Sequence, residues 1–214
     1  MPLSLSNKFG YAKDLDKYTM PKPQKGYKRI CQHYTQGGSV SGAISWWQFL
    51  AAKPGGDKIG TPYIVDRDGT IYQLWDEATR WAWHLGIGSR DIDSTTLGIE
   101  AINYGPLDNR NCPVIAPTLG PVPDPIVYPT PWRGYSRFQR FPDAQMRSIV
   151  QLTKHLCEKY DIPYVFPQPA EIYEVNVPKW GQYEGILSHQ NFRKDKVDCG
   201  PAYSWGAFLV DWDL

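Results

Sequence analysis

Tyr63-Ile64-Val65-Asp66-Arg67-Asp68-Gly69-Thr70-Ile71-Tyr72-Gln73-Leu74 decides the fold. Two β-branched and aromatic runs flank an Asp-Gly turn, a composition that closes a β-hairpin. Upstream, Arg29-Ile30-Cys31-Gln32-His33-Tyr34-Thr35 reads as a strand (about 28–35) running out into the Gly37-Gly38 turn. Ser41-Gly42 then opens a helix over Ala43 to Ala52, which Pro54-Gly55-Gly56 stops. Downstream, Thr96 to Ile102 reads as a buried strand carrying one carboxylate, Glu100, and Gly185 to His189 as a short strand. Between them, Met146, Ile149, Val150, Thr153, Leu156, Cys157 and Tyr160 share one face of a helix over Asp143 to Tyr160. The expected architecture is a single α/β domain with a central mixed β-sheet flanked by helices and a cleft at one sheet edge under long loops. Residues 1–27 read as a polar N-terminal arm and 28–214 as the domain. Within it, 105–142 reads as a Pro-rich loop insertion forming an ordered lid or rim, and 161–182 as a second Pro-rich connection.

Composition narrows the function. The 214 residues are 42% hydrophobic, 21% charged and 14% aromatic, enough for one sizeable core. A net charge of +1 with dispersed basic residues argues against a nucleic-acid or anionic-membrane partner. No apolar run reaches the roughly 18 residues of a bilayer span, so no integral membrane segment is expected. Met1 to Gly26 lacks the apolar stretch of a secretory signal, which implies synthesis in the cytoplasm. Cys31, Cys112, Cys157 and Cys199 form no Cys-x-x-Cys pair and are expected as free thiols.

The chemistry concentrates near the end, where Ser188-His189 is followed by Lys196, Asp198, Cys199 and Gly200-Pro201. Zinc accepts imidazole nitrogen together with carboxylate oxygen or thiolate sulfur, and a catalytic zinc keeps one position for water. Among four histidines, His33, at the end of a strand, is the best candidate for a further ligand. The plain alternative is a pair of hydrogen-bonded core histidines. Glu100 needs its own explanation, because burying an ionised carboxylate is costly unless it is paired or at a site.

These pieces, in this order, resemble the zinc-dependent N-acetylmuramoyl-L-alanine amidases of type 2, the family of anhydromuropeptide amidases, phage endolysins and peptidoglycan recognition proteins. The resemblance runs from about residue 28 to 205. It rests on Ile30 to Thr35, the hairpin Tyr63 to Gln73, Ala82-Trp83-His84-Leu85-Gly86, Leu97-Gly98-Ile99-Glu100, Gln145, His189 and Lys196-Val197-Asp198-Cys199-Gly200-Pro201. It implies that His33, His189 and Asp198 hold Zn²⁺, that Glu100 is the general base and that Lys196 stabilises developing charge. Cys199 is a rival ligand, since other branches use cysteine there. Thr61 stands where some branches carry a catalytic tyrosine, which leaves the base role to Glu100. His84 is not at a ligand position; with Trp83 it is expected to contact substrate or to support the site from behind. His155 is expected on the surface, and Trp46, Trp47 and Trp81 in the core or cleft wall. Trp132, Tyr128 and Tyr135 are candidates for glycan or peptide contact.

The implied reaction is hydrolysis of the amide between N-acetylmuramic acid and L-alanine in peptidoglycan or muropeptides, by a monomer needing no cofactor besides zinc. Alternatives of the same fold are a noncatalytic peptidoglycan-binding receptor and a zinc peptidase of the stem peptide. The expected place of action is the cell wall after release or delivery, as for an endolysin, with cytoplasmic muropeptide recycling as the alternative.

Overall fold

The structure is a computed structural model that describes residues 5–6 and 15–209. In chain order the strands are β1 (Leu5–Ser6), β2 (Met20–Pro21), β3 (Arg29–Tyr34), β4 (Tyr63–Val65), β5 (Ile71–Gln73), β6 (Arg80–Trp81), β7 (Thr96–Ala101), β8 (Pro106–Leu107), β9 (Pro125–Trp132), β10 (Tyr135–Gln139) and β11 (Gly185–Ser188). The helices are α1 (Leu15–Tyr18), α2 (Val40–Ala52), α3 (Arg90–Ser94), α4 (Asp143–Tyr160) and α5 (Val177–Trp180). Short 3₁₀ turns cover Pro117–Leu119, His189–Asn191 and Trp205–Leu209.

The expected mixed sheet is present, with strand order β1-β5-β4-β7-β3-β11. β4 and β5 form the antiparallel hairpin, closed by the Gly69 N–H donating to Asp66 O at 3.0 Å, with Gly69 at φ +90°. β4, β7, β3 and β11 are parallel neighbours. Parallel strands covered on both faces read as continuous apolar runs, and every residue of β3, β4 and β11 is buried. In β7 the single exception is Glu100.

On one face, Ile30, Leu97, Ile99 and Ile186 pack against Met146, Ile149, Leu152 and Leu156 of α4. Gln145 clips α4 to the sheet, its Nε2 donating to Val65 O and Ile102 O, both at 3.0 Å. On the opposite face, Val40, Ile44 and Trp47 of α2, one helical turn apart, pack on Ile64 and Ile102. α2 begins three residues earlier than expected because the Ser39 hydroxyl accepts from Gly42 N–H at 3.1 Å and caps it there.

Two expectations are corrected. The 105–142 insertion is no loop throughout: it builds a second sheet ordered β8-β10-β9. Pro125, Pro129 and Pro131 fit in β9 because it is an edge strand, where an N–H on the open side makes no ladder bond. The N-terminal arm, expected outside the domain of 28–214, contributes strands to it. β1 extends the main sheet beside β5, and β2 pairs with β6. The rest of that arm, 1–4 and 7–14, lies outside the described residues, as do 210–214.

Candidate active site

Strand register brings the predicted residues together. His33 of β3 sits opposite Glu100 of β7, while Gln32 sits opposite Ser188 of β11, so His189 emerges next to His33. Side chains alternate along a strand. Ile30 and Tyr34 therefore face α4, and Cys31 and His33 face the other way, with Gly98 and Glu100 beside them. The chain then loops back: Gln190 N–H donates to Asp198 O at 3.0 Å and Gln190 Nε2 to Cys199 O at 2.9 Å, fixing Asp198 beside both histidines.

Three ligand atoms converge. His33 Nδ1 and His189 Nδ1 are 3.0 Å apart, and Asp198 Oδ2 lies 3.3 Å from the first and 3.0 Å from the second. The remaining hydrogen bonds assign the ring protons. His84 Nε2 is 3.0 Å from Thr96 O, which can only accept, so that nitrogen carries the hydrogen. Burial lowers the pKa of His84, leaving its Nδ1 as a lone pair that accepts from His33 Nε2–H at 2.9 Å. Burial, reinforced by His189, holds His33 down at about 3, so its Nδ1 is also a lone pair. His189 Nε2 donates to Leu85 O at 2.9 Å, which turns its Nδ1 toward the same point.

Two lone pairs and a carboxylate at this spacing repel unless a cation lies among them. Their separations approach the edge of roughly 3.3 Å of a tetrahedron whose ligand bonds are about 2.0–2.1 Å. The three residues could thus hold a metal ion. Cys31, His33 and His84 form a second close group, but His33 and His84 already bond each other and burial pushes the Cys31 thiol pKa well up, so it stays protonated.

Glu100 and Lys196 line the cleft over these atoms. Burial raises the Glu100 carboxyl well above its ordinary range, Asp198 adds to this, and Lys196 opposes it. Its Oε2 is buried with no hydrogen-bond partner among the described residues. A carboxyl group that lines a cleft and keeps one buried oxygen unpartnered is suited to moving a proton.

Other residues shape this centre. Gly98 is needed because a Cβ there would sit 2.4 Å from the Thr61 methyl and 3.1 Å from His84 Nδ1. Thr61 itself is fully buried and donates to Tyr63 O, a packing role. Asp93 accepts from His84 N–H at 3.0 Å and Leu85 N–H at 3.2 Å, holding the loop that carries His84. The backbone of the loop over 194–201 is held from outside by the second sheet. Arg133, at the tip between β9 and β10, donates to Lys194 O at 3.1 Å and to Lys196 O, and Tyr128 donates to Pro201 O at 2.8 Å. Tyr34 adds a bond to Val197 O at 2.9 Å.

The family can now be stated. The sequence profile of the N-acetylmuramoyl-L-alanine amidases matches residues 23–201. The chain belongs to this amidase family. No curated protein matches it in sequence. Among solved structures it is similar to AmiD of E. coli in complex with anhydro-N-acetylmuramic acid-L-Ala-D-gamma-Glu-L-Lys, at 21% identity and TM-score 0.54, over 87% of this chain and 59% of AmiD. The chain thus spans less than two thirds of that relative. It also resembles the amidase LysC of Clostridium intestinale, at 15% identity and TM-score 0.51, over 89% and 88% of the two chains. A third likeness is to AmpDh3 of Pseudomonas aeruginosa in complex with anhydromuramic pentapeptide, at 16% identity and TM-score 0.51, over 87% and 60%. These likenesses are to the amidase fold.

Within this amidase, Cys199 is fully buried in the α4-side core and is not among the converging ligand atoms. All four cysteines are free and buried. His84 sits behind His33, and Trp83 lines a hollow that also touches His84, His189 and Lys196, its ring edge-on to Trp81 at 4.8 Å. His155 is exposed. Trp132 and Tyr128, candidates for substrate contact, brace the loop: Trp132 packs on Tyr173 and against Gly200. Trp46, whose place in an apolar helix block suggests core or wall, is 56% exposed at the cleft rim. Among the described residues no helix is long and apolar enough to cross a membrane.

Proposed function

We propose that the chain hydrolyses the amide between N-acetylmuramic acid and the L-alanine of the stem peptide, with Zn²⁺ held by His33 Nδ1, His189 Nδ1 and Asp198 Oδ2. The observation that carries this reading is the convergence of those three ligand atoms beside Glu100, whose Oε2 has no hydrogen-bond partner among the described residues. Family membership supports the bond cleaved. Two imidazoles and one carboxylate suit zinc over hard oxygen-seeking cations. Such an ion, when bound, supplies Lewis acidity and lowers the pKa of water towards 7.

The protein's own groups do the rest. Glu100, kept basic by burial, takes the proton from the attacking water and returns it to the departing amine. Lys196 brings an ammonium to the cleft where negative charge develops on the carbonyl oxygen. His84 keeps the His33 ring in the tautomer that leaves Nδ1 free. The proposed place of action is the cell wall, as for an endolysin.

Digestion of purified sacculi, read by mass spectrometry, tests this. Free L-alanine amino termini are expected, lost with EDTA, restored by zinc and absent for Asp198→Asn. Termini released equally in EDTA would sink the metal mechanism, and cuts only inside the stem peptide would sink the amidase assignment.

A further inference from the structure

No helix or strand covers 192–204, yet this stretch carries Lys196 and Asp198 to the centre. Single hydrogen bonds hold it, and one of them has a special place in the chain. Tyr34 O–H donates to Val197 O at 2.9 Å. Tyr34 directly follows His33, and Val197 directly precedes Asp198. One bond therefore ties two segments together a single residue away from each of two converging ligand residues. It does so from the far face of the sheet, because neighbours on a strand point to opposite sides. The Tyr34 ring packs in the α4-side core beside Phe141, with centroids 6.0 Å apart.

The seat of this hydroxyl is built. Gly105 has φ +70°, and a Cβ there would lie 2.4 Å from the Tyr34 hydroxyl oxygen, so glycine serves both the left-handed backbone and the close approach. Gly105 is itself pinned: its N–H donates to Asn103 Oδ1 at 2.7 Å, and its carbonyl accepts from Gln139 N–H of β10 at 2.9 Å.

The ligand atoms of His33, His189 and Asp198 lie within 3.3 Å of one another. Bonds that keep such a group in place before a metal arrives lower the cost of assembling the site. Gln190 fixes Asp198 on the His189 side, through Asp198 O and Cys199 O. Tyr34 fixes it to the strand of His33. Arg133 acts elsewhere, on Lys194 O and Lys196 O, from a hairpin that carries no ligand.

We infer that Tyr34 is a positioning residue of the metal centre: its hydroxyl sets the spacing of His33 and Asp198 from behind the sheet and thereby tunes metal affinity and turnover. This rests on the reading of His33, His189 and Asp198 as metal ligands, and not on which bond the chain cleaves.

Tyr34→Phe removes the hydroxyl and keeps the ring. Tyr27→Phe is the matched control: Tyr27 stands just before β3, at the opposite end from Tyr34, is buried too, and donates to another backbone carbonyl, Glu77 O, at 2.6 Å. Three quantities are read: zinc affinity by competition with a chromogenic chelator, denaturant unfolding in EDTA, and kcat and KM on a muropeptide at saturating zinc. Tyr34→Phe should bind zinc about tenfold or more weakly and turn over about tenfold more slowly, with KM within about twofold of wild type. Tyr27→Phe should lose comparable stability in EDTA with zinc affinity and kcat unchanged. Zinc affinity unaltered in Tyr34→Phe but lost in Asp198→Asn overturns the proposal and leaves the metal reading intact. So does a Tyr34→Phe defect confined to KM, which would make the tyrosine a substrate contact. A wild-type protein that binds no zinc sinks the metal reading and the proposal with it. Weakened zinc binding in Tyr34→Phe, with no muropeptide cleaved by any form, upholds the proposal while the amidase reading fails.

Discussion

Glu77 and Glu100 are two glutamates set into one small domain, the first fully and the second partly buried, and their surroundings could hardly differ more. Glu77 is fully buried and fully used. Its Oε1 accepts from Lys159 Nζ and Tyr160 Oη, both at 2.7 Å, and its Oε2 from Gln73 Nε2 at 2.8 Å. Burial alone would raise its carboxyl, but the bonds from Lys159 and Tyr160 outweigh burial and lower it. Glu100 is less covered as a residue, but burial of its carboxyl acts with Asp198 nearby, only Lys196 opposing, and one buried oxygen without a partner among the described residues. The difference separates a group that ties elements together from one kept poised for proton transfer. Glu77 joins the chain after β5 to the last turn of α4, whereas Glu100 gives up stability to remain a base.

The largest effects should come from exchanging each carboxylate for its neutral isostere. Glu100→Gln keeps the shape and removes the base, so kcat on muropeptide should fall by about 10²–10⁴-fold while the melting temperature holds or rises. Glu77→Gln should do the reverse. Its pairing with Lys159 is lost in a fully buried place, but Lys159 is 41% exposed and can hydrate, so a cost of about 2–3 kcal/mol is expected, with the folded fraction keeping its specific activity. Denaturant unfolding and initial rates measure both. Equal loss of activity in the two variants would break the division of roles.

A smaller effect should follow from loosening the loop that brings Lys196 and Asp198 to Glu100. Arg133 holds that loop by two backbone carbonyls from outside the main sheet. Arg133→Ala should lower kcat/KM about tenfold and weaken zinc retention, with little change in unfolding free energy, because each lost bond is worth only about 1 kcal/mol. Arg133→Lys should restore part of the activity. A loss of stability with unaltered activity per folded molecule would show instead that the second sheet serves only as cover.

The parts legible in the sequence were those governed by one local rule. α4 followed from its apolar face, the β4–β5 hairpin from Asp-Gly, and β3 and β7 from continuous apolar runs. The grouping of His33, Glu100, His189, Lys196 and Asp198 came through resemblance, because no local pattern encodes that β3, β7 and β11 are neighbours. The second sheet was hidden by the prolines of β9, which only an edge position permits. Trp46 was hidden for another reason: α2 carries apolar residues around most of its circumference, so periodicity does not tell Trp47 in the core from Trp46 on the rim. The role of His84 depends on the tautomer that Thr96 O imposes, which is purely three-dimensional.

The most delicate way to sharpen the contrast between the two glutamates is pH. The folded pKa of Glu100 is raised above the ordinary 4.5. Below that ordinary value the group is protonated in both folded and unfolded chains and costs nothing. As pH rises past it, the unfolded chain ionises first, so metal-free wild-type protein loses stability until the folded carboxyl also ionises. Glu100→Gln has no such term. Its stability advantage, measured by denaturant unfolding in EDTA, should be absent in acid, grow above about pH 4.5 and then level off. Glu77→Gln should show the opposite sign: a pKa lowered by folding contributes stability above the unfolded value and loses it as pH falls through the folded one. The Glu77→Gln deficit should therefore shrink in acid while the Glu100→Gln advantage vanishes there. Two curves moving in the same direction with pH would mean that both carboxylates are held by partners, and that the free oxygen of Glu100 is not what keeps it basic.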